Sequence, residues 1–460
     1  MTSSFHFILT SFNHHRLKAI FVFALMLFAS PVMADVFQVE LTKAVTQSDQ
    51  IKAAREGYLS SREDVTIANK SKDWTASLSA SHKYSETSTS GASFDAVNNR
   101  EVSVTVKRTL YDGGLSLTQN NVALLNLEIA DTRIRSAEEL VLMDAIEAYT
   151  NLVTARDSLR ISRTNVTRLK EHLRAATIQL QVGESTVTEL AGTKARLARA
   201  EASLIQSQTT LANAEATYTS LIGTPPSSLV MPEEAKGLPA LMDEGRAQAL
   251  DYKASHRIAY LQERAARKAM DVLLSQIRPN LDLSVVGSTT DNTNSSFDKE
   301  VASATITFSM PLYPSSSVRA KSRGAVADHR QALFSLMENK RQTLLQAENA
   351  FRSYASNRAV IAAYEAELDA ANAVQKGTMQ EVQYGEKTIL DQLDTEQDVV
   401  AAQLNLLVAR RDLVNASYRL KSAIGHLTVE GMSLDGLGDV KDEEIETPLQ
   451  GIIPKIVYPE

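Results

Sequence analysis

Stretches with two different hydrophobic periods follow one another along the chain. In residues 74–83, 102–107, 281–286 and 304–309, apolar and polar side chains largely alternate, and a period of two is typical of β-strands. The apolar positions of the first stretch are Ala76, Leu78 and Ala80, and those of the last are Ala304, Ile306 and Phe308. The pattern therefore predicts two pairs of strands, each pair joined by a polar loop.

Longer stretches carry a three–four spacing of apolar residues, which indicates coiled-coil helices. Residues 115–182 contain neither proline nor glycine, and a helix of this length would reach about 100 Å. We expect a return helix after Gly183, and a second pair of helices over residues 318–383 and 388–424. Single shorter helices are expected to precede each strand pair, over residues 36–72 and 239–277.

The same order of elements occurs twice at a fixed offset. The turn glycines Gly183 and Gly385 are 385 − 183 = 202 residues apart, and Gly223 and Gly425 have the same separation. An internal repeat of this kind predicts one module written twice. We divide the chain into residues 1–34, a signal peptide; residues 35–238 and 239–427, two structural repeats; and residues 428–460, an acidic and flexible tail.

The lengths of the elements predict an incomplete protomer. The combined length of two short helices stacked end to end matches the length of one long helix. The proline-bearing linkers would then lie halfway along the long helix, where the stacked short helices meet. A soluble sandwich would also give alternating strands. Four strands of about ten residues joined by polar loops in an exported chain favour a transmembrane barrel instead. Four strands cannot close such a barrel, so several copies must share it.

Composition supports export and excludes several classes of function. The first 34 residues have a basic region, an apolar run and a small-residue cleavage site. Removing their two basic residues changes the net charge from −7 to −7 − 2 = −9, which argues against a nucleic-acid partner. The absence of cysteine excludes disulfides, thiolate metal sites and an N-terminal lipid anchor. The histidines are scattered, so we expect no enzyme, no cofactor and no metal site.

The candidate chemistry lies at the two glycine turns. Asp391 and Asp394 are three residues apart and share one face of a helix, and Glu189 follows the first turn. Around a symmetry axis such carboxylates would form acidic rings that favour cations. Equally, they could be solvated charges that interact favourably with a helix N-terminus. The spacing alone leaves both interpretations open.

The stretch Tyr384–Asp394, YGEKTILDQLD, resembles the periplasmic tip motif of the TolC-type outer-membrane efflux and secretion channels. The resemblance extends over the mature chain to about Leu427. It implies a homotrimer in outer-membrane lipid, with a twelve-stranded barrel built from four strands per protomer. A periplasmic α-helical coiled-coil tunnel continues the barrel. The tunnel would open when a periplasmic adaptor and an inner-membrane transporter of the ABC or RND type dock.

The resemblance also implies roles for individual residues. Asp391 and Asp394 would form the acidic rings, and Lys387 would take the place of a gate-latching arginine, with Glu189 as its partner on the neighbouring hairpin. The tip turns and expected adaptor contacts are Gly183, Gly385, Val182 and Tyr384. Lysine lacks the bidentate fork of arginine, and Val382 stands where the best-known member has a tyrosine. We therefore expect a less tightly latched gate.

These features favour a passive exit duct for type I protein secretion or small-molecule efflux. Two other classes remain as alternatives, a periplasmic adaptor and a structural trimeric coiled coil at the surface. An adaptor usually has one hairpin and an anchor, and a structural coiled coil does not need two strand pairs. The residues expected to line the duct do not identify the cargo. The absence of a cysteine for a lipid anchor favours secretion.

Overall fold

The structure is a computed structural model that describes residues 32–87, 95–226, 229–292, 299–313, 315–434 and 438–440. Its elements follow one another in two similar series. The first series is α1 (Val32–Gln47), α2 (Asp49–Asn69), β1 (Thr75–Thr87), β2 (Asp95–Tyr111), α3 (Leu115–Gln181) and α4 (Val187–Ile222). The second is α5 (Met242–Tyr252), α6 (Ala254–Ser275), β3 (Asn280–Asn292), β4 (Lys299–Ser309), α7 (Ser316–Gln383) and α8 (Ile389–Ala423), followed by a short 3₁₀ helix (Glu430–Met432).

Shorter helices pack side by side against the long helix α3, at different points along its length. On α3, the half near the strands packs against α2, where Tyr58 and Leu59 contact Ala130. The other half packs against α4, where Leu197 lies in one cluster with Leu169. Within the described chain, α2 and α4 therefore lie one beyond the other along α3, as the helix lengths predict.

Both single helices expected before the strands are in fact pairs, which corrects the sequence interpretation. Ser48 separates α1 from α2 and caps α2, since its side chain accepts a hydrogen bond from the Ile51 N–H at 3.4 Å. Lys253 separates α5 from α6 in an extended conformation. The break in the second series lies against Gly425, at the end of α8. Packing between helix ends, rather than a glycine or proline in the sequence, positions the breaks.

The largest hydrophobic core lies around the middle of α3, where α1, α3, α4 and α8 meet. Tyr149 of α3 is 2% exposed and contacts Phe37 edge to face, with ring centroids 5.0 Å apart. Tyr218 of α4 and Tyr418 of α8 belong to the same cluster. In this core the Thr150 hydroxyl donates to Oδ1 of Asn415 at 2.8 Å, so α3 and α8 are joined by a buried hydrogen bond.

The four strands form one antiparallel sheet in the order β1-β2-β3-β4. Leu78 pairs with Val104, Val104 with Gly287, and Gly287 with Ala302. Because side chains alternate across a strand, this register collects most of the apolar positions of the four strands on one face. The apolar face comprises Ala76, Leu78, Ala80, Val102, Val104, Val106, Leu281, Leu283, Val285, Ala302, Ala304, Ile306 and Phe308.

The strands are longer than the sequence predicts, because β1 continues to Thr87 and β3 to Asn292 through polar residues. Nothing covers the apolar face within the described part of one chain. Leu78 is 73% exposed and Phe308 is 66% exposed, and every residue of β4 is exposed. The soluble-sandwich alternative needs a second sheet on this face, and the described residues contain only the one sheet.

The segment after α8 packs on the helices, which differs from the flexible tail expected from residue 428 onward. Leu427 is fully buried, and Lys421 Nζ donates to the Gly431 carbonyl at 3.0 Å. Val440 is buried with Tyr58 of α2. The rest of the predicted tail, residues 441–460, and residues 1–31 of the predicted signal lie outside the described residues.

Candidate functional site

The candidate site is the end of the two helical hairpins farthest from the sheet. We call α3–α4 hairpin 1 and α7–α8 hairpin 2. Each long helix ends at a glycine in the left-handed region, Gly183 with φ 82° and Gly385 with φ 78°. Glu184 N–H donates to the Gln179 carbonyl at 2.8 Å, and Glu386 N–H donates to the Glu381 carbonyl at 2.9 Å. These are the hydrogen bonds of a glycine-terminated helix, so both predicted turns are present.

Each return helix then begins with a capping box. In hairpin 1, the Glu189 N–H donates to Thr186 Oγ1 at 3.2 Å, and the Thr186 N–H donates to Glu189 Oε2 at 2.9 Å. In hairpin 2, the Thr388 N–H donates to Asp391 Oδ2 at 2.9 Å and the Thr388 hydroxyl donates to it at 2.7 Å. Reciprocal bonds of this type satisfy N–H groups that a helix start otherwise leaves unpaired.

The capping contacts keep both carboxylates ionised. The hydrogen bond from the Thr186 backbone lowers the pKa of Glu189, and those from the Thr388 hydroxyl and backbone lower the pKa of Asp391. The two residues occupy the same place in the two hairpins, 391 − 189 = 202 residues apart. Within one chain, Glu189 and Asp391 therefore serve the helix starts, the simpler of the two roles that the sequence allowed.

Asp394 has a different partner, on the other hairpin. The Arg196 guanidinium of α4 donates to Asp394 Oδ1 of α8, across 198 residues of sequence. Asp394 does not share the capping box of Asp391, although the two carboxylates are only three residues apart. The structure thus separates the two acidic residues that the sequence grouped together.

Lys387 contacts a residue of its own hairpin. Its Nζ lies 2.8 Å from Glu381 Oε2, and this hydrogen bond raises the pKa of Lys387. In the described part of a single chain no ion pair joins Lys387 to Glu189. A latch between neighbouring chains stays a prediction, and so does the role of the exposed Val182 and Tyr384 as adaptor contacts.

A second polar contact joins the two hairpins. His172 Nε2 of α3 lies 3.1 Å from both carboxylate oxygens of Glu396 on α8, and the Gln392 amide donates to Glu396 at 3.0 Å. Glu396 is 7% exposed. The hydrogen bond to Glu396 raises the pKa of His172. Burial acts to raise the pKa of Glu396, but the bonds from His172 and Gln392 outweigh it and lower that pKa.

Arg196, His172 and Glu396 are site residues that the sequence interpretation missed. A signal for Arg196 was present, since it follows Glu189 by 196 − 189 = 7 residues and so lies on the same face of α4. Nothing in the local pattern marks His172 or Glu396, because their partners come from different hairpins. Among the described residues, no group of three or more His, Asp or Glu side chains could hold a metal ion.

The length and polarity of the described helices show whether any of them could span a membrane. None of them is both long enough and apolar enough to cross a membrane. Comparison with known protein families identifies the family of the chain. A family model described as outer membrane efflux protein matches residues 41–224 and 247–426, well over half of the chain.

The chain belongs to the outer membrane efflux protein family. The resemblance to TolC-type channels is thereby confirmed, and as a member of this family the chain is an outer-membrane transport protein. The two matched segments correspond to the two series of elements, and each contains one hairpin.

Individual members of the outer membrane efflux protein family are similar over most of the chain. The outer membrane efflux protein BepC of Brucella suis is 27% identical over 418 residues, which cover 88% of both chains. The alkaline protease secretion protein AprF of Pseudomonas aeruginosa is 25% identical over 331 residues, 68% of this chain and 67% of that one. The Campylobacter jejuni CmeC outer membrane channel has the same fold, with a TM-score of 0.75, 14% identity, and coverage of 88% and 87%.

Proposed function

We propose that the chain is the outer-membrane exit duct of a tripartite export machine. Three copies would form a channel in which the sheets join into a membrane barrel and the helices into a periplasmic tunnel. The two similar halves, residues 35–238 and 239–427, would be copies of one module. The observation that carries the proposal is the sheet, which has one continuous apolar face that a single chain leaves exposed.

The physical reason for assembly is the pairing of the sheet edges. In lipid, every backbone polar group needs a partner within the protein, so an open edge on β1 or β4 is too costly. Three four-stranded sheets would give a closed barrel of twelve strands. Its apolar face would meet the lipid, and its Ser- and Thr-rich face would line the water-filled interior.

The hairpin ends would form the closable entrance at the periplasmic end. Asp391 and Asp394 would face the axis there, and Lys387 and Glu189 would pair between neighbouring chains. Gly183 and Gly385 hold the tip turns, which place Val182 and Tyr384 at the surface where a periplasmic adaptor would dock. An inner-membrane transporter of the ABC or RND type would supply the energy, and the duct itself would perform no chemistry.

Protein secretion by a type I system is the cargo class that we favour, with small-molecule efflux as the second candidate. The name of AprF refers to protease secretion, which supports the first. The name of BepC refers to efflux, which supports the second. Both cargoes would use the same duct.

Deletion of the gene provides the test, with the culture supernatant and the drug sensitivity of the strain measured together. We expect the supernatant to lose one or a few large proteins, and plasmid-borne wild type to restore them. An unchanged supernatant combined with increased sensitivity to drugs and bile salts would replace secretion with efflux. No change in either property, with the protein absent from outer-membrane fractions of the parent strain, would contradict the duct.

A further inference from the structure

The contact between Arg196 and Asp394 joins parts of the molecule that otherwise belong to separate hairpins. Arg196 lies on the return helix of hairpin 1 and Asp394 on the return helix of hairpin 2. The Arg196 side chain is 31% exposed and the Asp394 side chain is 63% exposed, so the pair lies at the surface of the hairpin ends. Among the described residues it is one of two ionic contacts that join the hairpins near their turns.

Close packing beside the pair fixes the distance between the two return helices. Leu393 is 2% exposed and packs in one cluster with Leu169 of α3 and Leu197 of α4. One turn toward the tip, Leu390 lies against Gly192, where a Cβ atom would come within 3.1 Å of the leucine side chain.

Three neighbouring charges at the hairpin ends have partners within their own hairpins. Glu189 and Asp391 accept the hydrogen bonds of the capping boxes, and Lys387 pairs with Glu381. Arg196 and Asp394, by contrast, form an ion pair that crosses from one hairpin to the other. His172 and Glu396 make a second crossing contact at a similar sequence distance from the turns.

We propose that Arg196 determines both the charge and the closure of the duct entrance. It compensates the carboxylate of Asp394 and ties hairpin 2 to hairpin 1 within each chain. This inference rests on the proposed function, because it needs a channel with the hairpin ends at its mouth. It also revises the role that the resemblance implies for Asp394, which becomes a paired residue rather than one of two equivalent acidic rings.

The consequence for selectivity follows from the charges of an assembled channel. Every copy of Asp394 would bring a copy of Arg196 with it, so the two rings would largely cancel. Asp391, whose capping contacts come from neutral groups, would then contribute more than Asp394 to the negative field at the entrance. Removing the arginine would leave the carboxylate of Asp394 uncompensated and increase the preference for cations. Removing the carboxylate would do the opposite.

Substitution of either Arg196 or Asp394 should shift the entrance in the same direction, toward the open state. Loss of either partner removes the contact between the hairpins and favours the open arrangement. An exposed ion pair of this kind changes an equilibrium by about two- to fivefold. The two substitutions should therefore act alike on opening but in opposite directions on selectivity, a combination that a merely structural role does not produce.

The test uses the full-length protein in planar lipid bilayers, with the conductance and the cation-to-anion permeability ratio measured for each variant. We expect Arg196→Ala and Asp394→Ala each to increase the open fraction by at least about two- to fivefold, the effect of one pair, and by more where the three copies open together. Arg196→Ala should raise the permeability ratio and Asp394→Ala should lower it. The exchange Arg196→Asp with Asp394→Arg should restore both properties toward wild type. Arg196→Gln serves as the second variant if the alanine variant does not assemble.

Lys170→Ala is the matched control for closure. Lys170 Nζ pairs with Glu201 Oε1 at 3.3 Å, a surface ion pair that joins α3 to α4 inside hairpin 1. Its removal should leave the open fraction unchanged. Equal effects of Lys170→Ala and Arg196→Ala on opening would overturn the inference, as would a shift of selectivity in the same direction for both Arg196→Ala and Asp394→Ala. Failure of the wild type to form channels would instead contradict the proposed function itself.

Discussion

At the scale of single residues, we expect the contact between His172 and Glu396 to make the hairpin junction sensitive to pH. The charged groups acting on it are Arg168 and Glu171 from α3 and Glu396 itself from α8. Two charges of α4 in this region, Arg196 and Glu201, pair with Asp394 and Lys170 respectively. The hydrogen bond raises the pKa of His172 above 6.5, and the hydrogen bonds to Glu396 lower its pKa below 4.5.

These shifts define a window of greatest stability. The contribution of His172 is fully present below pH 6.5 and is lost as the pH rises through its raised pKa. The contribution of Glu396 is present above pH 4.5 and is lost as the pH falls through its lowered pKa. We therefore expect the thermal midpoint to fall as the pH rises above 6.5 and the histidine loses its proton.

Thermal unfolding of wild type and His172→Gln over this pH range checks the expectation. The variant should have a flatter pH profile, because glutamine can still donate a hydrogen bond but carries no titrating charge. His82→Gln, at an exposed position on β1, is the control and should keep the wild-type profile. A profile as steep in His172→Gln as in wild type would show that other groups cause the pH dependence.

At the scale of elements, the hydrophobic pattern predicts the long helices well and the short ones less well. Gly183, Gly223 and Gly385 end helices in the sequence and in the structure, so α3, α4 and α7 end within a few residues of the predicted bounds. The breaks at Ser48 and Lys253 carry no such signal. They arise from contacts with distant helix ends, and a local pattern does not contain that information.

The helix ends give a prediction that separates backbone conformation from packing. Gly385 and Gly425 have almost the same φ, 78° and 79°. A Cβ at Gly385 would meet no atom within 4 Å, whereas a Cβ at Gly425 would lie 2.5 Å from the Tyr252 carbonyl carbon and 2.6 Å from the Lys253 nitrogen. Alanine should therefore be strained at both sites but should clash with backbone at only one.

We expect Gly385→Ala to cost about 1–2 kcal/mol for its left-handed conformation. Gly425→Ala should cost about 1–3 kcal/mol more, because the break between α5 and α6 has to move. Urea unfolding of the two variants and wild type, followed by circular dichroism, measures the difference. Gly385→Ala is the matched control, and equal midpoints for the two variants would mean that the α5–α6 break yields easily.

At the scale of the whole molecule, the sequence predicts the two faces of the sheet but not the pairing of charges between hairpins. The alternation of Leu78 and Val104 with polar neighbours is a local property, and the register of the strands brings such positions together on one face. Arg196 and Asp394 meet only because two hairpins pack side by side, across 198 residues. Tertiary packing of this kind decides which of several acidic residues is compensated.

The apolar face gives the prediction that bears on the whole assembly. Val104 and Thr105 are adjacent on β2 and point to opposite faces of the sheet. If the apolar face meets lipid, Val104→Lys places a charge in the membrane in every copy, at a cost of up to about 2–4 kcal/mol each. Thr105→Lys adds the same charge to the polar face that would line water.

We expect Val104→Lys to deplete the assembled protein in outer-membrane fractions, and Thr105→Lys to leave its amount close to wild type. A greater loss for Thr105→Lys would place the polar face against the lipid, and equal amounts of both variants would contradict the expectation that the apolar face lies in lipid.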